Sequence, residues 1–99
     1  MDRALSDCST VLVTKETLFA ELDREIVILD KKSGEYYGLN SVGATIWQLI
    51  QEPKVVKDIR NAILAKFKVE PEQCDSDLQA FLMEMRAKGL LEISNDTAR

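Results

Sequence analysis

The strongest constraint on the fold is a change of hydrophobic periodicity at Asn40. Residues before Asn40 form short runs of β-branched and aromatic side chains, bounded by charged and turn-forming residues. Residues from Ser41 onward instead repeat apolar side chains every three or four positions. Strands followed by helices, without alternation between the two, are typical of an α+β domain.

Three extended segments are predicted before the change. Thr10–Thr14 is rich in β-branched residues and is predicted to be a strand, which Leu18–Leu22 would continue after a kink. Glu25–Asp30 carries the clearest strand pattern, and Lys31–Gly34 fits the tight turn of a hairpin. We therefore expect a three-stranded antiparallel sheet whose third strand is Glu35–Leu39.

Three apolar stripes at helical spacing follow. Asn40 or Ser41 is suited to cap the first helix, Pro71 to begin the third, and Gly89 to end it. The stripes consist of Val42, Ile46, Leu49 and Ile50; Val56, Ile59, Ile63 and Phe67; and Cys74, Leu78, Phe81, Leu82 and Met85. Three helices behind a three-stranded antiparallel sheet predict a winged helix-turn-helix-like α+β domain.

The length of 99 residues fits one domain. We expect a flexible N-terminus at residues 1–9, a single domain over 10–93 and a flexible polar tail at 94–99. No segment has the apolar run of a signal peptide or a membrane span, so we expect a cytoplasmic protein that does not enter membranes. Cys8 and Cys74 are interpreted as reduced thiols.

The residue inventory argues against an enzyme. The chain has no histidine, no glycine-rich phosphate loop and no nucleophile motif, so we expect neither catalysis nor a metal or other cofactor. The net charge of −4 disfavours nucleic acid as a partner. A winged-helix regulator would insert the start of its last helix into DNA, and four acidic residues there would repel phosphate: Glu70, Glu72, Asp75 and Asp77.

The last predicted strand offers a different use. An edge strand presents free N–H and C=O groups, and a peptide can pair with them as a further strand. Tyr36 and Tyr37 face opposite sides of that strand, so one of them can belong to the core and the other to the surface without any function. Trp47 lies beside a helical stripe and is interpreted as core packing.

The segment GEYYGLNSVGATIW, residues 34–47, resembles the signature of PqqD-like proteins. That signature is a strand ending in Leu-Asn, then a small residue, an apolar residue, Gly or Ala, and Ile-Trp. Asp77–Leu82 and Gly89–Leu91 resemble the third helix of the family and its exit. The resemblance covers roughly residues 10–93.

The resemblance implies a RiPP recognition element, a peptide chaperone that binds the leader segment of a ribosomally made precursor peptide. It implies that the leader pairs antiparallel with the third strand, in a cleft between that strand and the third helix. The positions implied for leader binding are Glu35, Tyr36, Tyr37, Gly38, Leu39, Asp77, Leu78, Phe81 and Met85. Leu78 and Met85 also lie on the stripe assigned to the core, so two interpretations compete for these side chains.

The resemblance also implies an enzyme partner in trans, such as a separate leader peptidase or another RiPP-processing enzyme. We favour the setting of lasso peptide biosynthesis over that of pyrroloquinoline quinone. The alternative is a small protein–protein adaptor that uses the same edge, or a winged-helix transcriptional regulator. Because an exposed edge can also pair with itself, we expect a monomer or a weak dimer.

Overall fold

The structure, a computed structural model, describes residues 6–14, 17–23 and 25–94. Of the segments predicted to be flexible, residues 1–5 and 95–99 lie outside these ranges, and the predicted domain bounds stay a prediction. The elements of the described ranges are β1 (Thr10–Val13), β2 (Thr17–Leu22), β3 (Glu25–Asp30), β4 (Glu35–Leu39), α1 (Ser41–Leu49), β5 (Lys54–Val55), α2 (Val56–Lys66), α3 (Pro71–Ala87) and β6 (Leu91–Ser94).

The main sheet is an antiparallel meander of β2, β3 and β4. Leu18 lies opposite Leu29, and Leu29 lies opposite Tyr36, so these three side chains share one face of the sheet. The opposite face carries Ile26 and Ile28, which are buried against α1 and the rest of the core. The predicted α+β order of a three-stranded antiparallel sheet followed by three helices is confirmed.

A second sheet, in the order β5-β1-β6, differs from the prediction. Thr10–Val13 does not share a sheet with β2, as the predicted kinked strand required, because β1 pairs with β5 and with β6 instead. Val11 at its centre is fully buried, opposite Lys54 on one side and Ile93 on the other. Burial of this short apolar strand between two distant segments decides its pairing.

The turn between β3 and β4 determines how the backbone of β4 is oriented. Gly34 adopts a φ of 77°, and its N–H donates to the carbonyl of Asp30 at 2.7 Å. The carboxylate of Asp30 accepts from the N–H of Lys32 and from the hydroxyl of Ser33. Because the Asp30 carbonyl points towards β4, alternation along the pair directs the backbone groups of Glu35, Tyr37 and Leu39 to β3. Those of Tyr36 and Gly38 point to the open edge.

The helices begin and end where the local signals predicted. The side chain of Asn40 accepts from the N–H of Gly43 at 3.0 Å and caps α1. Pro71 begins α3, and Gly89 follows it with a φ of 77°. Trp47 is fully buried and meets the ring of Phe19 edge-on, with the ring centroids 6.1 Å apart, which confirms its interpretation as core packing.

An ion-pair network ties the segment before β1 to the helices. Arg60 of α2 donates to both carboxylate oxygens of Asp7, at 2.7 and 2.9 Å, and to Asp75 of α3 at 3.3 Å. The neighbouring Ser9 is fully buried. Among the described helices, none is long and apolar enough to cross a membrane.

Candidate functional site

A cleft of about 640 Å³ opens between β4 and α3. Eight of the nine positions predicted from the resemblance line it: Tyr36, Tyr37, Gly38, Leu39, Asp77, Leu78, Phe81 and Met85. Glu35, the ninth, does not line the cleft, and its carboxylate accepts from the hydroxyl of Tyr37 at 2.8 Å. The fold therefore brings the strand positions and the helix positions to one concave surface.

The strand wall of the cleft is an unpaired sheet edge. β4 pairs with β3 on one side, and no described strand pairs with its other side. The open edge presents the N–H and C=O groups of Tyr36 and Gly38, four backbone groups in all. Gly38 is exposed, and a Cβ atom placed on it would meet nothing within 4 Å. An extended peptide therefore has both the hydrogen-bonding groups and the space to approach this edge.

The helix wall is apolar. Leu78 and Met85 on it were assigned both to the core and to leader binding, and their positions in the structure agree with both assignments. Both side chains are almost fully buried, at 2% and 4% exposure, yet both border the cleft. They form its floor and belong to the core at the same time. Phe81 is only half-buried, so its ring is the apolar group that α3 offers to a ligand.

Gly43 lets α1 approach the cleft closely. A Cβ atom at this position would lie 3.3 Å from the Cβ of Leu39 and 3.3 Å from Cε1 of Phe81, which is tighter than ordinary van der Waals contact. The glycine therefore allows the end of β4, the start of α1 and the Phe81 ring to meet. Any larger residue would have to move the ring or the helix.

The far end of the cleft was missed by the prediction. It is formed by side chains of α1, of α2 and the connector that follows it, and of the start of α3: Val42, Ile46, Ile63, Val69 and Cys74. Val42, Ile46, Ile63 and Cys74 were predicted only as helix stripes, because an apolar stripe is the same whether it faces a core or a groove. Val69 lies in the connector, is 38% exposed, and carries no pattern that distinguishes it.

Charged groups lie at the rim of the cleft. Lys88 donates to Glu84 at 3.0 Å and places its ammonium 5.4 Å from the centre of the Tyr37 ring. The Tyr37 hydroxyl donates to the Glu35 carboxylate, and this hydrogen bond raises the pKa of Tyr37. Asp77 is exposed near the other end of the cleft and accepts from Gln73 at 2.8 Å. Both signs of charge are therefore available to a ligand.

The cleft has few groups suited to chemistry. Burial raises the pKa of the Cys74 thiol, which disfavours the reactive thiolate. Within the described ranges, no three His, Cys, Asp or Glu side chains converge in a way that could hold a metal ion. The arrangement of an open strand edge beside an apolar helix is suited to holding a peptide.

Comparisons with known proteins agree with this geometry. The family model of coenzyme PQQ synthesis protein D (PqqD) matches residues 25–91, about two thirds of the chain. The solved structure of TbiB1 in complex with the TbiA(beta) leader peptide is 36% identical, with a TM-score of 0.76, covering 82% of this chain and 94% of that one.

A second solved structure, lasso peptide synthetase B1 complexed with the leader peptide, is 26% identical. Its TM-score is 0.73, and the match covers 83% of this chain and 96% of that one. No curated protein matches this sequence. Both solved structures are similar to this chain over nearly their whole length.

Proposed function

The chain belongs to the PqqD family, and we propose that it is a RiPP recognition element that binds the leader segment of a precursor peptide. The observation that carries the proposal is the cleft, in which an unpaired strand edge faces an apolar helix. The two similar solved structures are complexes with leader peptides, which supports the same ligand class here.

The leader is proposed to add to β4 as an antiparallel strand. Tyr36 and Gly38 supply up to four backbone hydrogen bonds, which give affinity with little demand on the leader sequence. An antiparallel leader runs from the Leu39 end of β4 towards the Glu35 end. Its earlier residues then lie near Asp77, and its later residues lie near Lys88.

Alternate side chains of such a strand point to opposite faces. Those that point inward would enter the cleft and contact Phe81 above the floor of Leu78 and Met85. Burying one large apolar side chain there contributes about 1.5–3 kcal/mol. Ordering a flexible leader offsets part of this energy, so we expect a dissociation constant between roughly nanomolar and micromolar.

The charged rim adds selectivity to the apolar contacts. Asp77 is exposed and stands where an antiparallel leader enters, so a basic leader residue at that point would gain a partner. Surface pairs of this kind contribute about 0–1 kcal/mol and weaken with salt. We therefore assign most of the binding affinity to backbone pairing with β4 and to apolar contacts with Phe81 in the cleft. The charged rim contributes only weakly to the choice of leader sequence.

The chain is proposed to act together with a separate enzyme. Its role is to hold the leader and deliver the precursor to a leader peptidase, in a pathway of the lasso peptide type. The groups that line the cleft bind rather than react, so modification of the precursor falls to that enzyme. The domain bounds of 10–93, a cytoplasmic location and a state of monomer or weak dimer belong to the same proposal.

The proposal is tested by titrating the protein into a fluorescently labelled synthetic leader peptide and reading anisotropy. The peptide copies the leader of a precursor that is encoded next to the gene of this protein. Wild type should show saturable binding, and Phe81→Ala should weaken it by roughly 10- to 100-fold because it removes the apolar wall. Met83→Ala is the matched control, since Met83 is half-buried on α3 but does not line the cleft.

Two results would count against the proposal. One is no binding of the wild-type protein up to roughly 100 µM, which corresponds to about −5.5 kcal/mol. The other is equal weakening by Phe81→Ala and Met83→Ala, which would place the peptide outside the cleft. Salt dependence serves as a further check, because binding through backbone pairing and apolar contacts should change little with ionic strength.

A further inference from the structure

The charged side chains around the cleft are sorted by sign from one end to the other. One end, here called the entry end, lies at Leu39 and comprises the turn between β2 and β3 and the start of α3. Glu21 belongs to it, because the register places Glu21, Ile26 and Leu39 in one row. The exposed charges described there are six carboxylates and two ammonium groups: Glu21, Asp23, Glu25, Glu70, Glu72, Asp77, Lys66 and Lys68.

The other end, here called the exit end, lies where β4 begins and α3 ends, and it has the opposite balance. Lys31 and Lys32 are exposed in the turn that leads into β4, and no described residue forms an ion pair with either ammonium. Lys88 adds a third ammonium on the rim of the cleft. The carboxylates of Glu35 and Glu84 already accept hydrogen bonds from neighbouring side chains.

The dipole of α3 accounts for part of this arrangement but not for all of it. Carboxylates are stabilised at the start of a helix and ammonium groups at its end, which explains the charges on α3 itself. The turns of the sheet have no such dipole, yet Asp23 and Glu25 lie at the entry end and Lys31 and Lys32 at the exit end. Two different kinds of element therefore present the same order of charge along the path of the leader.

We propose that this order of charge makes the cleft selective for leaders with a basic residue before the paired segment and an acidic residue after it, an inference that rests on the proposed function. An open strand edge alone does not choose a direction, because its N–H and C=O groups can pair with a parallel or an antiparallel strand. A basic residue held at Asp77 and an acidic residue held at Lys88 fix the antiparallel direction.

The structure also sets the spacing of the two leader charges. At 1.5 Å per residue, the stretch of α3 from Asp77 to its cap at Lys88 is about 16 Å long. An extended leader rises about 3.4 Å per residue and covers this distance in about five residues. Side chains that point into the cleft recur at every second residue, so the basic residue should precede the acidic one by about four to six positions.

Each end contributes little by itself, and reversal of the charge order makes the effect measurable. Exposed ion pairs are weak, so the two ends together should raise the affinity for a matching leader by only about 3-fold. A leader with the opposite order exchanges both attractions for repulsions and should bind roughly 10-fold more weakly than the matching one. The difference should disappear at 1 M salt, where the Debye length is about 3 Å.

The test compares the labelled leader peptide with a charge-swapped copy. In the copy, Lys and Arg of the first half become Glu, and Asp and Glu of the second half become Lys. Both peptides are titrated against wild type and against Asp77→Lys combined with Lys88→Glu, which reverses both ends of the cleft at unchanged net charge. Glu52→Lys combined with Lys54→Glu is the matched control, since it exchanges a surface ion pair that does not line the cleft.

We expect wild type and the control to prefer the native leader by roughly 10-fold at low salt, and the reversed variant to prefer the swapped leader. Rescue of the swapped leader by the reversed variant cannot arise from damage to the fold, and Trp47 fluorescence reports folding of each protein. Should the reversed variant unfold, Asp77→Asn combined with Lys88→Gln takes its place and should bind both leaders equally.

Equal binding of the two leaders by wild type would overturn the charge selectivity and leave the proposed function standing. A native leader that binds but lacks a basic residue about four to six positions before an acidic one would overturn it as well. A reversed variant that is folded and still prefers the native leader would assign the preference to other residues than Asp77 and Lys88. Failure of wild type to bind either leader would instead refute the proposed function.

Discussion

Gly38→Pro separates strand addition from other ways of filling the cleft. The N–H of Gly38 points to the open edge, so proline removes a donor for the leader without removing a hydrogen bond to β3. Tyr37, the residue before it, already has the extended backbone that a following proline requires. One lost hydrogen bond costs about 0.5–1.5 kcal/mol, and the ring also obstructs the incoming strand. We expect a total of about 1–2 kcal/mol, or roughly 5- to 30-fold weaker leader binding.

Gly38→Ala is the control for Gly38→Pro, because it retains the N–H and its Cβ meets nothing within 4 Å. It should bind leader within about 2-fold of wild type. Anisotropy titrations of the three proteins give the comparison, and thermal melts followed by Trp47 fluorescence show whether the proline variant stays folded. If Gly38→Pro is folded and binds leader as tightly as Gly38→Ala, the edge of β4 does not pair with the peptide and the reasoning fails.

Two further changes test the close packing at Gly43 and the ion pair between Asp7 and Arg60. Gly43→Ala should weaken leader binding by roughly 3- to 10-fold, because its Cβ would lie 3.3 Å from both Leu39 and Phe81 and displace the ring; unchanged affinity in the same titration would exclude that role. Asp7→Asn should lower stability to urea at pH 7, because Arg60 holds the pKa of Asp7 below its ordinary value of 3.8. That stabilisation is present above pH 3.8 and is lost as the pH falls through the lowered pKa of Asp7 in the folded state. The urea midpoints of wild type and Asp7→Asn should therefore converge in acid. A difference between the two midpoints that stays constant with pH would contradict a stabilising ion pair between Asp7 and Arg60.

Much of the main sheet and of the helix boundaries was predictable because the signals are local. The alternation of Glu25–Asp30, the turn glycine at Gly34 and the cap at Asn40 each act within a few residues. The second sheet was not predictable. β5 has two residues, too few for any pattern, and β1 meets partners that lie more than forty positions away in the chain. Burial of Val11 between distant segments of the chain selects that pairing, and the residues next to β1 in the sequence do not predict it.

The cleft was predicted on its strand side and only in part on its helix side. An edge strand is visible in sequence because it ends a series of strands, and the resemblance added the positions of α3. The apolar residues at the far end of the cleft have the sequence pattern of ordinary core residues. Ile63 and Cys74, for example, are almost fully buried and still border the cleft. Whether a stripe faces a core or a groove depends on how far the next helix stands away.

The distance between the sheet and the next helix also decides which free edge of the main sheet takes a peptide. β2 is the other edge of this sheet in the described ranges. Beneath it Phe19 packs on Trp47, and Glu21 accepts from Gln48 of α1 at 2.6 Å. The groove that remains beside Glu21 and Gln48 is smaller than the cleft at β4, at about 390 Å³. A peptide on β2 would gain backbone hydrogen bonds but less room for its inward side chains than a peptide on β4. At β4, α3 stands away from the sheet and leaves about 640 Å³ above an apolar floor. Since both edges offer backbone groups, the space under β4 is what favours that edge, and a change that fills the cleft should weaken binding more than any change along β2.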